Sequence, residues 1–283
     1  MNQVLVTGSS GFIGRNLSKH LSELGFIVKL LDSDYFKDFD WQNSLLDILE
    51  TFDPKVIFHV GACSNTLELN VQYMMEQNYQ STKLISDWCN EKRRKLIFSS
   101  SAANYGINGK YPSNLYGWSK YVAEDYVRVS GGIALRYFNV YGPGEESKGA
   151  MSSFLYQAYI NKNNGEKVLL FPGRPSRDFI YIKDVVGANL YALKNFFDLS
   201  GKYYDVATGH SRLFEDMLNL ADIEFAYSDE SKIPAGYQFY TCGDPKKWMD
   251  GWKPNYSLEE GVADYLTYLH QPTTSQKNDN LRI

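Results

Sequence analysis

Cysteine is scarce in this 283-residue chain: Cys63, Cys89 and Cys242 are odd in number and far apart. They offer neither a disulfide framework nor metal-ligand spacing, a usage that suits a reducing compartment. Histidine is as thin, at four scattered residues, and no metal site is expected. No apolar run reaches the length of a membrane span, and the first residues read as a strand rather than a secretory leader. A soluble, cytoplasmic protein is the expectation. Charge of one sign is also missing, with 29 basic against 33 acidic residues. The longest basic run, Lys92-Arg93-Arg94-Lys95, is short enough to be a helix C-terminal cap. Neither nucleic acid nor a membrane is expected as a partner. What is present is an ordinary globular composition, 43% hydrophobic and 22% charged, enough for one large or two modest domains.

Residues 3–7 form a short apolar strand of the kind buried in a parallel sheet. Gly8-Ser9-Ser10-Gly11-Phe12-Ile13-Gly14 follows, then helical spacing through Ile13, Leu17, Leu21 and Leu24, ended by Gly25. A second strand over 27–31 finishes at Asp32, so the glycine loop lies at the turn of a βαβ unit. Residues 38–41 read as a vestigial third strand, 44–52 as a short helix and 55–60 as a strand. A long helix is expected from about 69 to 90 and a strand over 95–98. Then come a helix carrying Tyr116 and Lys120 and a strand over 133–137. This alternation predicts an α/β fold, a Rossmann-like doubly wound parallel sheet. After Gly142-Pro143 the pattern is less regular. The reading is a dinucleotide-binding domain over 1–145, a smaller, mainly substrate-binding lobe over 146–270, and a polar tail over 271–283 that lacks periodicity. Later segments, about 178–208, are candidates to return to the main sheet.

Phosphates need backbone N–H groups at close range, and glycine at positions 8, 11 and 14 removes the side chains that would block them. Asp32 suits the hydroxyls of an adenosine ribose, which suggests NAD, although a plain turn residue is the alternative. Arg15 and Lys37 lie close enough in sequence to take a 2′-phosphate, so NAD and NADP both stay open. Tyr116 and Lys120, four apart, share one helix face. An ammonium beside a phenol favours the phenolate and makes it a usable acid–base group.

The glycine loop, Ser101 and Tyr116-Gly117-Trp118-Ser119-Lys120 together resemble the extended short-chain dehydrogenase/reductase family, the nucleotide-sugar epimerases and dehydratases. The likeness runs over about residues 1–270 and includes 136–143 and 177–185. Segments 57–64, 73–80 and 100–106, with Lys148-Gly149, are most similar to the family's heptose 6-epimerase branch. The resemblance implies an NAD- or NADP-dependent enzyme, one cofactor per subunit, that oxidises a nucleotide-linked sugar and returns the hydride to the other face. It implies Tyr116 and Lys148 as acid–base groups, Lys120 as the residue tuning Tyr116, and Ser101 as a partner of the reacting oxygen. A loop lysine and an N-cap serine are the simpler readings of Lys148 and Ser101. The implied cofactor cleft consists of Gly8, Gly11, Phe12, Ile13, Gly14, Asp32, Ser33, Lys37, Gly61, Ala62, Cys63, Asn78, Lys120 and Val140. Substrate contacts map onto Asn139, Ala150, Gln157, Phe171, Gly173, Arg174, Arg177 and Tyr237. Ala150 and Gln157 stand where that branch has serine and histidine, and residues 106–115 are fewer than usual. For Arg177 a diphosphate and an ion pair with Asp178 or Asp184 both remain open. The alternatives are a 4-epimerase, a dehydratase or a reductase of the same family. Ala102-Ala103, where dehydratases carry an acidic pair, speaks against elimination. A non-catalytic dinucleotide-binding protein is a further alternative. A homo-oligomer, dimer or higher, is implied through the helices near 69–90 and 115–129.

Overall fold

A run of strand–helix units builds the first half of the chain in the computed structural model, which describes residues 2–107, 109–234 and 236–271 and, for Ala150, the backbone alone. Apart from Gln271, the expected tail lies outside the described residues. The units are β1 (Gln3–Thr7), α1 (Phe12–Glu23), β2 (Ile27–Leu31), α2 (Trp41–Phe52), β3 (Val56–His59), α3 (Val71–Met75), α4 (Ser81–Lys92), β4 (Lys95–Ser101), α5 (Leu115–Val129) and β5 (Ile133–Tyr137). The second half contains β6 (Asn139–Tyr141), α6 (Phe154–Asn163), β7 (Val168–Leu170), β8 (Ser176–Tyr181), α7 (Ile182–Lys194), α8 (Phe196–Leu199), β9 (Tyr203–Val206), β10 (Ser211–Leu213), α9 (Phe214–Leu220), β11 (Phe225–Tyr227) and α10 (Leu258–Leu269).

Six parallel strands form the main sheet in the order β2-β1-β3-β4-β5-β9. Alternate side chains of its central strands leave on opposite faces. Val4, Val6, Phe58 and Ile97 join one core with Leu17 and Leu21 of α1 and Val185 and Ala188 of α7. Leu5, Ile57 and Phe98 join the other with Leu45 and Leu49 of α2, Ile85 and Trp88 of α4, and Ala123 and Val127 of α5. Burial on both faces is why these strands read as continuous apolar runs. The sheet therefore carries helices on both sides, as the alternation of elements requires.

Three local expectations are corrected. Residues 38–41 form no strand: a 3-10 turn, Ser33–Lys37, leads almost directly into α2. The Asp38 carboxylate accepts from the Asp40 N–H (3.1 Å) and the Ser44 hydroxyl (2.5 Å), and such local bonds compete with strand pairing. The sheet consequently ends at β2. The long helix is two helices, α3 and α4, joined by a π-helical turn, Glu76–Gln80, which buries Asn78. Of the segments considered for return to the main sheet, 203–206 enters it as β9, whereas 176–181 does not. That segment, β8, is the centre of a second sheet, β10-β8-β6, and β11-β7 form a third.

Candidate active site

The C-terminal ends of β1, β3 and β4 open onto one cavity of about 380 Å³. Its phosphate end is made of glycine. Gly8 has a positive φ of 63°, and a Cβ there would lie 2.6 Å from the Gly61 Cα. A Cβ on Gly14 would lie 2.1 Å from the Gly8 carbonyl oxygen. The turn thus closes only with bare backbone. Gly11 caps α1 without a side-chain hydrogen bond, leaving the first N–H groups of the helix for an anion. The Asp32 carboxylate braces this loop, accepting from the Ser10 N–H (2.9 Å) and the Ser9 hydroxyl (3.1 Å). A cradle that a Cβ would fill, beside an open helix N-terminus and a carboxylate at the end of β2, fits a dinucleotide.

Helix α5 forms one wall. Asn114 caps it by accepting from the Gly117 N–H at 2.8 Å. Gly117 lets it approach the turn after β4, since a Cβ there would come within 2.8 Å of the Ala103 carbonyl oxygen. Tyr116, half-buried, and Lys120, 2% exposed, both line the cavity. The Lys120 ammonium lies 4.0 Å from the Phe98 ring centre. Burial pulls its pKa down to about 7 against the raising effect of Glu124. Burial also pushes the Tyr116 phenol up, while a hydrogen bond with Ser101 pulls it down. The phenol is therefore not lowered by Lys120 as anticipated, because burial penalises both charges. Ser101 fits its simpler reading, its hydroxyl accepting from the Ala103 N–H (3.1 Å) as an N-cap, and it also hydrogen-bonds Tyr116.

Lys148 reaches the same cavity from a 3-10 turn, Glu146–Met151, with its ammonium 5.4 Å from the Phe12 ring centre. Burial lowers its pKa, and Glu145 opposes that shift.

Of the anticipated cofactor residues, Gly8, Gly11, Phe12, Ile13, Gly14, Asp32, Ser33, Gly61, Ala62 and Cys63 line the cavity. Three stand off it. Lys37 is exposed and paired with Asp34 at 2.5 Å. Val140 lies in the second sheet opposite Ile180. Asn78 sits behind the wall, where its side chain accepts from the Cys63 N–H (2.7 Å) and donates to the Cys63 carbonyl (3.0 Å). Lining residues that the sequence reading missed include Tyr35, Phe36, Tyr73, Gln77, Ser99 and Tyr137. The position of Tyr35 and Phe36 just beyond Asp32, and the four-residue spacing of Tyr73 and Gln77, are the signals that could have found them.

Four of the anticipated substrate residues, Phe171, Gly173, Arg177 and Tyr237, gather elsewhere. Phe171 meets Tyr237 edge to face at 5.0 Å, and the Arg177 guanidinium lies 5.3 Å from the Tyr237 ring centre. Gly173 lies against the Phe239 ring. Arg177 is buried, and its acidic neighbours are committed to other groups. Asp178 accepts from the backbone of Thr208, Gly209 and Gly243, and Asp184 from that of Asn255 and Tyr256. Arg174 pairs with Glu215 at 3.4 Å, Asn139 accepts from Thr241 at 3.5 Å, and Gln157 donates to the Ser152 carbonyl. The Ala150 side chain lies outside what the structure describes. Gln238 ties this cluster to the turn after β4 by donating to the Gly106 carbonyl at 2.9 Å.

Among solved structures, the chain is similar to ADP-L-glycero-D-manno-heptose-6-epimerase of Helicobacter pylori. The two share 27% identity over 96% of this chain and 97% of that one, with a TM-score of 0.81. The fold is also that of UDP-glucose 4-epimerase of Thermotoga maritima, solved with UDP-glucose (24% identity, 94% and 98% covered, TM-score 0.82). UDP-glucose 4-epimerase of Thermus thermophilus, solved with NAD, shares it too (23% identity, 96% and 100% covered, TM-score 0.78). The model of one protein family matches residues 4–207, from β1 through β9. With that match, and a glycine cradle facing Tyr116 and Lys120 across one cavity, the chain belongs to the NAD dependent epimerase/dehydratase family.

Proposed function

We propose that this enzyme is a nucleotide-sugar epimerase that inverts an alcohol carbon by transient oxidation and re-reduction. Its proposed substrate is of the ADP-glycero-manno-heptose type. NAD, when bound, supplies the acceptor for the hydride and returns it. Tyr116 takes the proton of the reacting hydroxyl, and Ser101 hydrogen-bonds the same oxygen. Lys148 serves the opposite face after the ketone has turned, because one fixed phenol reaches only one side of a planar carbonyl. Lys120 holds the nicotinamide end beside Tyr116. Arg177, over Tyr237, holds the diphosphate with its planar fork.

The observation that carries this reading is a second lysine, half-buried in the same cleft. Lys148 lies on a different segment from α5 yet lines the same cavity as Tyr116, and burial brings its amine toward the working range. Ala102 and Ala103 in the turn after β4 leave no acidic pair for dehydration there. The lobe over 146–270 carries most of the sugar recognition in this proposal, and the protein works in the cytoplasm. The exposed Val71, Tyr73 and Trp118 on α3 and α5 support assembly as a dimer or larger oligomer; light scattering of a monomer at micromolar concentration would contradict that.

The test is incubation with either epimer of ADP-glycero-manno-heptose, followed by NMR and by absorbance at the NADH band. Interconversion of the epimers with flat absorbance is expected. Loss of water from the sugar, net NADH, or no turnover would overturn the proposal. Turnover of UDP-glucose alone would keep the reaction class and displace the heptose.

A further inference from the structure

Beneath the cavity lies a buried imidazole that the chemistry above does not use. We propose that His59, clamped between two threonine hydroxyls, is a positioning residue that ties the glycine floor of the cofactor cleft to the helix bearing Tyr116.

His59 ends β3 and is 1% exposed. Its Nδ1 lies 2.7 Å from the Thr7 hydroxyl and its Nε2 2.9 Å from the Thr82 hydroxyl. The direction of each bond follows from what lies at the ends. Thr82 donates its proton to the Asn78 carbonyl at 2.7 Å, so its oxygen can only accept from the ring. Nε2 therefore carries the hydrogen and Nδ1 is bare. Nδ1 then accepts from the Thr7 hydroxyl, whose oxygen accepts from the Gly61 N–H at 2.9 Å. One neutral tautomer satisfies every group.

The network continues past Asn78. That side chain grips both backbone groups of Cys63 and donates to the Ser119 hydroxyl at 2.9 Å. Ser119 donates to the Tyr116 carbonyl at 2.7 Å. A single run of buried bonds thus leads from Gly61, through β1, β3, α4 and the π-helical turn, into the first turn of α5. Gly61 is the residue against which Gly8 closes, so the run begins at the cradle and ends at the phenol-bearing residue. An apolar ring at 59 would fill the space but take from the Thr7 hydroxyl its acceptor and from the Thr82 oxygen its donor, which is costly in a closed interior. Burial, with Lys120 adding to it, holds the imidazole's pKa down to about 3, so the clamp keeps its polarity across the working pH range.

The proposal rests on the family's dinucleotide cleft and is independent of the sugar and of Lys148, so it can fail separately from the epimerase reading. His20, His210 and His270 are exposed and can be replaced together, leaving His59 alone for nitrogen NMR. A neutral Nε2–H ring from pH 5 to pH 9 is expected; an Nδ1–H tautomer, or an imidazolium at pH 6, overturns the proposal. NADH binding, read by fluorescence, gives the second measurement. Thr82→Val, which keeps the shape and loses the hydroxyl with both of its bonds, to the ring and to the Asn78 carbonyl, should weaken binding at least about fivefold. Thr82→Ser should stay within about twofold of the parent, because it retains those bonds. Unchanged affinity in Thr82→Val, or equal loss in both variants, rules the coupling out.

Discussion

The two lysines of the cleft are held in opposite ways. Lys120 is built into the middle of α5, over Phe98, on a helix fastened by Asn114, Gly117 and Ser119. Lys148 stands in a short 3-10 turn in which Gly149 takes a non-helical conformation. A carboxylate is among its anchors: Glu145, fully buried, accepts from the Gly142 N–H (3.3 Å) and from both the N–H and the hydroxyl of Ser153. Burial depresses both amines. A long helix fixes a side chain through a whole ladder of backbone bonds, whereas a short 3-10 turn has only a few, of poorer geometry. One wall is thus held along a whole helix, and the other by a short turn braced by a buried acid.

The comparison can be broken first at Tyr116, the group that the helical wall presents. Tyr116→Phe should cut turnover about 10³-fold, within the range of a lost general acid–base group, while NADH binding stays near normal. Equal loss of both would remove its assigned role. On the other wall, Lys148→Ala should cost about 10²-fold in epimerisation yet spare dismutation of an aldehyde analogue; full activity in that variant ends the two-group scheme.

Glu145→Gln sharpens the contrast between the walls. The carboxylate raises the Lys148 pKa, so its removal lets that pKa fall further. Where Lys148 acts as a base, the limb of the pH–rate profile that reports it should move to lower pH, with about a tenfold loss of rate from a loosened anchor. A shift to higher pH contradicts the assignment. The smallest effect is expected on stability. The folded-state pKa of Lys120, about 7, lies below the ordinary 10.5. Between those values the unfolded chain binds a proton that the folded chain does not, so stability rises with pH across that window. Lys120→Met should be more stable than the parent at pH 7, with the advantage fading by pH 10.5. Urea unfolding at several pH values reads this directly, and an advantage that grows with pH would refute it.

Much of the first wall could be read from the chain, because its signals are local. Gly8, Gly11 and Gly14 are close in sequence and meet in one turn, and Tyr116 and Lys120 are a single helical spacing apart. The failures came where side chains compete for the backbone or find distant partners. Asp38 turned an expected strand into a cap. Asn78 was placed in the cleft and instead grips Cys63 from behind. The partners of Arg177 were undecidable, since Asp178 and Asp184 lie near it in sequence but bind loops thirty to seventy residues away.

The order of strands and helices, the glycine turn and the phenol–amine pair were determined by the chain alone, since backbone sterics and helical periodicity act over a few residues. Tertiary structure alone decided that Lys148 joins Tyr116, that β9 returns to the sheet while β8 does not, and that His59 lies between two threonines. Those outcomes depend on which distant groups exclude water together, and no short window of sequence contains both partners.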